Sequence, residues 1–261
     1  MTEAAFLNAF GLFLMALMRF GAFFINTPVY GETFIPYQNK AGIAAFSALI
    51  ILPNMIATQQ MPALTVFGYA IMAVKEIMLG FALGYIVLIA TSILRMGGNI
   101  IGMQIGFSFV QVADPGSNQS MGLISEFLQL AGTIIFLVIN GHLVMFNAFY
   151  RSFTMVPPGK ISFTGGIIEE IALHTKMIFS CGFQLAMPII AIILLGDVAL
   201  GIIARTVPKM NIFQLGFALK ILGGMTVMIL ILPNLTDVIK ELLELCISKV
   251  EFVLLALKND N

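Results

Sequence analysis

Tryptophan is absent from this chain, and cysteine and histidine occur only twice each. Charged residues make up 10% of the sequence, where a soluble globular domain carries roughly 25%. With 59% hydrophobic residues over 261 positions, a soluble fold of this size lacks the polar groups to cover its surface. The 13 basic and 13 acidic residues cancel and are scattered singly. No stripe exists to neutralise a run of phosphates, which excludes nucleic acid as an expected partner. Cys181 lies in an apolar run and Cys246 near the C-terminal end, matching neither a disulfide framework nor a metal knuckle. Both are expected to be inert packing residues. His142 and His174 have no second ligand at metal spacing, and hydrolase and phosphate-loop motifs are missing, so neither a metal nor a cofactor is expected. Met1, Thr2 and Glu3 give no basic n-region, so the apolar stretch behind them is expected to be retained and not cleaved as a signal peptide.

What the sequence has in abundance is membrane-scale apolar runs. Between Glu3 and Lys40 only Arg19 and Glu32 are charged, and Ala41 to Val74 carries no charge, with Pro53 and Pro62 punctuating it. This predicts one hairpin, or two short spans, joined near Asn54 to Met61. Ala63 to Leu94 is interrupted only by Lys75 and Glu76. That exceeds the about 20 residues needed to cross a core of about 30 Å. Phe127 to Tyr150 is uncharged but divided by the turn-prone Asn140 and Gly141. Pro157, Pro158, Gly159, Gly165 and Gly166 form a loop-like polar connection, which places an internal boundary near Pro157 to Gly166. Beyond it, Met177 to Gly196 and Ile212 to Leu232 suggest a helical hairpin joined by a polar knot holding Asp197, Arg205, Pro208 and Lys209. After Pro233, Asp237, Glu241, Glu244, Ser248 and Glu251 recur at three- and four-residue steps. They leave Ile239, Leu242, Leu243, Cys246, Val250 and Val253 opposite, as in an amphipathic helix lying against partners or the bilayer surface. The fold class expected is therefore an all-α membrane protein. Basic residues are spread over successive connections and assign no orientation.

Arg19, Lys75, Glu76, Glu126, Asp197 and Lys220 sit inside or at the edge of apolar runs, where a charge at a span's centre costs roughly 2.5–3.5 kcal/mol. Two readings compensate them. Each pairs with another such charge at a helix contact or snorkels to an interface, or these segments are buried in a multisubunit assembly with access to water.

Arg95 to Gln119 crowds Gly97, Gly98, Gly102, Gly106 and Gly116 together with Pro115, and long regular helix is not expected there. Were it helical, Gly98, Gly102 and Gly106 would stack at four-residue spacing and admit another backbone. Phe107, Phe109 and Val110 follow as an apolar cluster, and Asp114, Pro115, Gly116 and Ser117 form a turn. Pro115 fixes its own φ and biases Asp114 away from helix, while Gly116 accepts positive φ. A hydrophobic loop pinned by such a turn suits the filling of a constriction. The plainer role for Asp114 is an Asx turn or a cap on a helix entering at Met121. The seventeen methionines are adaptable apolar filler.

Four blocks then carry a resemblance. They are Gly102-Met-Gln-Ile-Gly-Phe-Ser-Phe109 running into Asp114-Pro-Gly-Ser117; Asn140-Gly-His-Leu143; Ala199-Leu-Gly201 with Arg205 and Pro208; and Ile212-Phe213 with Gly216-Phe217. In order, approximate spacing and chain length they resemble the FliR family of flagellar biosynthetic proteins and its counterparts in virulence type III secretion. The first block is specific; the others singly are not. The chain departs from the family's pattern at Asn99, where an acidic residue is common, and at Ala113, where a larger aliphatic residue is usual.

The resemblance implies a non-enzymatic subunit of an export gate in the bacterial inner membrane. Its partners would be FliP-type, FliQ-type and FlhB-type subunits, and its cargo unfolded flagellar proteins. It implies bent helical hairpins packed into a closed helical assembly, with a FliP-like portion over residues 1–156, a connection at 157–166 and a FliQ-like portion over 167–261 that includes the amphipathic tail 237–258. It places a pore plug at residues 107–118, comprising Phe107, Ser108, Phe109, Val110, Val112, Asp114, Pro115, Gly116 and Ser117, behind a packing ladder of Gly98, Gly102, Gln104 and Gly106. Arg19, Glu126, Asp197, Arg205 and Lys220 are expected to be charges buried for assembly. The competing readings are a virulence-system gate subunit, a secondary transporter, which would need paired repeats that are not evident, and a membrane enzyme, for which no nucleophile and base stand out.

Overall fold

The computed structural model describes residues 3–27, 36–62, 65–107, 122–161, 165–206 and 212–258. These residues form eight α-helices and contain no strand: α1 (Glu3–Asn26), α2 (Tyr37–Thr58), α3 (Val66–Ile105), α4 (Leu123–Val138), α5 (Gly141–Met155), α6 (Gly165–Thr206), α7 (Ile212–Ile231) and α8 (Leu235–Lys258), with a 3-10 turn at Leu232–Asn234 between the last two. By length and composition five of the helical segments can cross a membrane, or six if the α4–α5 pair counts as one broken span. The molecule is an all-α membrane protein.

The chain divides into two compact units, one of residues 1–89, 140–174 and 243–261, the other of residues 90–139 and 175–242. Each draws on both sides of the Pro157–Gly166 segment, and α3, α6 and α8 contribute residues to both.

In the first unit, α1 buries Leu12, Met15, Ala16, Arg19, Phe20 and Phe23, a stripe at three- and four-residue steps. Phe23 stacks on Phe149 of α5 at 4.0 Å between ring centroids, Phe20 lies tilted against the same ring at 4.8 Å, and Phe153 stacks on Phe20. α3 crosses α1 at Gly80 and Gly84. A Cβ at Gly80 would strike the Arg19 carbonyl oxygen, and one at Gly84 would lie 2.9 Å from that of Phe23. The two backbones meet because neither glycine carries a side chain. Leu243, Cys246 and Val250 of α8 close this core together with Phe23, Leu83, Val87, Met145 and Phe149, and the Cys246 thiol donates to the Ile86 carbonyl at 3.3 Å. Every apolar position foreseen on the tail helix is buried. Leu243, Cys246 and Val250 take their cover from the chain's own α1, α3 and α5, where cover by partners or the bilayer was expected.

In the second unit, α3 continues unbroken through Arg95, Gly97, Gly98 and Gly102 to Ile105, where regular helix was not expected. Each interior glycine costs about 1 kcal/mol relative to alanine. Close packing offsets this: a Cβ at Gly97 would lie 3.1 Å from the Gly182 carbonyl oxygen of α6, and one at Gly98 would lie 2.5 Å from the Ser125 Cα of α4. In an apolar setting an unbroken helix also satisfies backbone groups that no water would. α6 likewise runs through Asp197 and Arg205 to Thr206, so those residues lie on a helix and not in a polar knot. Ile101, Leu128, Leu185, Ile189, Met228 and Leu235 form the apolar centre of this unit.

Between α4 and α5 the chain turns at Ile139 and Asn140, as the dipeptide Asn140-Gly141 implied. Asn140 sits at φ 58°, a left-handed conformation that asparagine tolerates better than most residues.

Candidate functional site

The end of α3 is where the sequence's most specific motif meets the structure. Gly106 has φ +99°. Its N–H donates to the Met103 carbonyl at 3.2 Å and that of Phe107 to the Gly102 carbonyl at 2.9 Å, the paired bonds of a Schellman cap. Gly106 therefore stops the helix instead of continuing a ladder along it. Gly102 is buried, yet among the described residues a Cβ there would meet only Ile124 side-chain atoms, the nearest at 3.8 Å. Among the described residues, only Gly98 of the three stacked glycines meets a neighbouring backbone, and the expected common face divides into a contact, a spacer and a cap.

Arg95 and Ser125 brace this contact. Arg95 Nε donates to Gln129 Oε1 at 2.9 Å, and Ser125 Oγ donates to the Arg95 carbonyl at 2.9 Å. Beyond the contact, an open cleft of about 440 Å³ is lined by Met103, Gln104, Gly106, Leu200 and Phe217, with Asp197 and Lys220 on its wall. Lys220 Nζ lies 2.8 Å from Asp197 Oδ1. The Phe217 ring comes within 3.2 Å of where a Gly106 side chain would begin. Gln104 thus borders the cleft, and half-buried Phe107 is the last residue described at this end of α3. Ser108, Phe109, Val110, Val112, Asp114, Pro115, Gly116 and Ser117 lie outside the described residues.

The embedded charges resolve individually. Arg19 is fully buried: Nε donates to Glu76 Oε2 at 2.6 Å, Nη1 to Ser152 Oγ at 3.2 Å and Nη2 to the Val156 carbonyl at 3.0 Å, and the guanidinium lies 4.3 Å from the Phe153 ring centroid. This and the Lys220–Asp197 pair fit the charge-pairing reading. Glu126 and Arg205 are exposed on the single chain. They occupy the first turn of α4 and the last turn of α6, where the helix dipole favours an acid and a base respectively.

Sequence reasoning missed Glu76 as the counter-charge, because its partner lies 57 residues away. It also passed over Gly80, Gly84 and Gly182, although the i, i+4 spacing of the first two was a usable signal. Among the described residues no cluster of histidine, cysteine and acidic side chains could hold a metal ion.

The fold and site define a helical membrane protein in which a glycine-bearing helix, packed closely on its neighbours, ends in a capped turn at a cleft. Residues 10–246 match bacterial export proteins, family 1, and the chain belongs to that family. It is 29% identical over 232 residues to the flagellar biosynthetic protein FliR of Escherichia coli K12, covering 89% of this chain and 88% of that one. With FliR of Bacillus subtilis 168 it shares 29% identity over 246 residues, 93% and 94% of the two chains. With FliR of Aquifex aeolicus VF5 the identity is 28% over 223 residues, 85% and 86% of the two.

Proposed function

We propose that the chain is a subunit of the flagellar type III secretion export gate, helping to form and plug the channel through which unfolded flagellar proteins leave the cytoplasm. The observation that carries this is membership of the bacterial export family over residues 10–246, with flagellar relatives matched along most of both chains. Its partners are FliP-type, FliQ-type and FlhB-type subunits, it resides in the bacterial inner membrane, and it performs no catalysis. Residues 1–156 take the FliP-like role and 167–261 the FliQ-like role.

The plug is Phe107 to Asn118. Phe107, Phe109, Val110 and Val112 supply an apolar seal, and the Asp114-Pro-Gly-Ser117 turn shapes it. Support comes from the root of this loop, which Gly106 holds through two backbone bonds beside the cleft. The open apolar surface of the C-terminal portion supports assembly. The most apolar windows of Ala172–Thr206 and Gln214–Leu255 are only 22% and 17% buried within the chain, against 50% for Val66–Ile105, so their cover comes from outside it.

Deleting the gene is expected to abolish both filaments and the export of filament subunits, with recovery on plasmid complementation. Normal filaments in the deletion strain would refute the reading. Loss of injectisome secretion in a strain that still swims would assign the chain to the virulence counterpart.

A further inference from the structure

The connection after α5 carries the turn-forming prolines and glycine of a flexible linker, yet the structure binds it down at several points. Val156, Pro158 and Ile161 are buried. Arg19 Nη2 donates to the Val156 carbonyl at 3.0 Å, and Lys75 Nζ donates to the Ile161 carbonyl at 3.1 Å. One turn upstream, Gln59 Nε2 donates to the Phe153 carbonyl at 2.9 Å. Within the connection the Lys160 N–H donates to the Pro157 carbonyl at 3.1 Å. Gly159, at φ +82°, passes so close to Met72 that a Cβ there would lie 2.7 Å from its sulfur.

Lys75 and Glu76 are adjacent on α3, and both serve this connection. Lys75 holds its far end directly. Glu76 holds its near end through Arg19, whose guanidinium it orients while Ser152 and Phe153 occupy the remaining sides. Three donors on one planar fork fix the guanidinium in position and direction, which a lone ion pair would not.

We infer that Val156–Ile161 is a clamped anchor from which the chain enters its second portion, and that Lys75 and the Arg19–Glu76 pair are its positioning residues. Arg19, Gln59 and Lys75 each donate to a backbone carbonyl at or just before this segment, which holds its path in place. This holds whether or not the chain acts in export, because it rests only on contacts within the first compact unit.

Hydrogen exchange read by mass spectrometry, on the full chain in its detergent-extracted complex, tests it through the Lys160 amide, whose N–H donates to the Pro157 carbonyl. The wild-type segment is expected to exchange at least about tenfold more slowly than an open loop. Lys75→Met is expected to remove most of that protection while Lys75→Arg, which keeps a donor, restores it. Arg19→Met combined with Glu76→Leu removes both charges without stranding either, and is expected to expose the same amide in a chain that still accumulates in membranes. If that double variant fails to accumulate, the Lys75 pair of variants decides the question alone. Open-loop exchange in the wild type overturns the inference, as does unchanged exchange in Lys75→Met.

Discussion

At single residues, what matters is which atoms stand where a side chain would go. Gly98 faces the Ser125 backbone, with Cα at 2.5 Å and N at 2.9 Å from an added Cβ, and backbone cannot step aside as a flexible side chain does. Gly102, one turn along, faces only Ile124 side-chain atoms among the described residues, the nearest at 3.8 Å. Gly98→Ala is therefore expected to destabilise the chain by about 1–3 kcal/mol through overpacking. Gly102→Ala is expected to be neutral or to gain up to about 1 kcal/mol of helix propensity. Thermal unfolding of the two variants in detergent separates them; equal losses at both positions would mean that the α3–α4 contact is not the one described. Spacing alone treats the two glycines as equivalent, and only the path of α4 tells them apart. The same limit hid the Arg19–Glu76 pair: both charges stood out in apolar runs, but nothing in one sequence says which embedded acid answers which embedded base.

Among elements, the amphipathic tail was the most legible, because a 3.6-residue period is a local property. Ile239, Leu242, Leu243, Cys246, Val250 and Val253 all lie inside. What covers them is not local, and the helix proves to be packed in its own chain. α3 shows the converse failure. Its local glycine content argued against regular helix, while contacts with α4 and α6, distant in sequence, sustain helix to Ile105. The division into units was also beyond the pattern of runs and breaks, since each unit interleaves segments from across the sequence. The position of α8 leads to a direct comparison between neighbours: Leu254 is fully buried, whereas Leu255 is 48% exposed. Leu254→Ala is expected to cost about 2–5 kcal/mol by leaving a cavity. Leu255→Ala is expected to change the chain's own stability by less than about 0.5 kcal/mol. Midpoints of chemical unfolding of the isolated chain in micelles measure both, and a tail docked only on partners would leave Leu254→Ala as silent as Leu255→Ala.

For the whole molecule, the apolar surface is unevenly spent. The first span buries 44% of its most apolar window and α3 buries 50%, but the two C-terminal windows bury 22% and 17%. A helical portion that open cannot be closed by this chain alone, and lipid or sister subunits must cover it. The proposed gate assembly supplies such cover and sets the task of the loop beyond Phe107: a conduit wide enough for an unfolded polypeptide must still hold back ions when idle. An apolar segment does this by excluding water from a constriction, and charged groups passing it lose their hydration. Removing Phe109 to Ser117 while leaving Gly106 and its cap in place is therefore expected to raise ion conductance in cells holding the assembled complex. Co-purification of the partner subunits verifies assembly. Alanine at Phe107, Phe109, Val110 and Val112 together, which keeps the loop's length, is expected to leak as well, because the seal is assigned to apolar bulk. Leakage from the deletion but not from the alanine variant would place the barrier in the loop's backbone and turn. Unchanged conductance in both, with the complex intact, would remove the sealing role altogether.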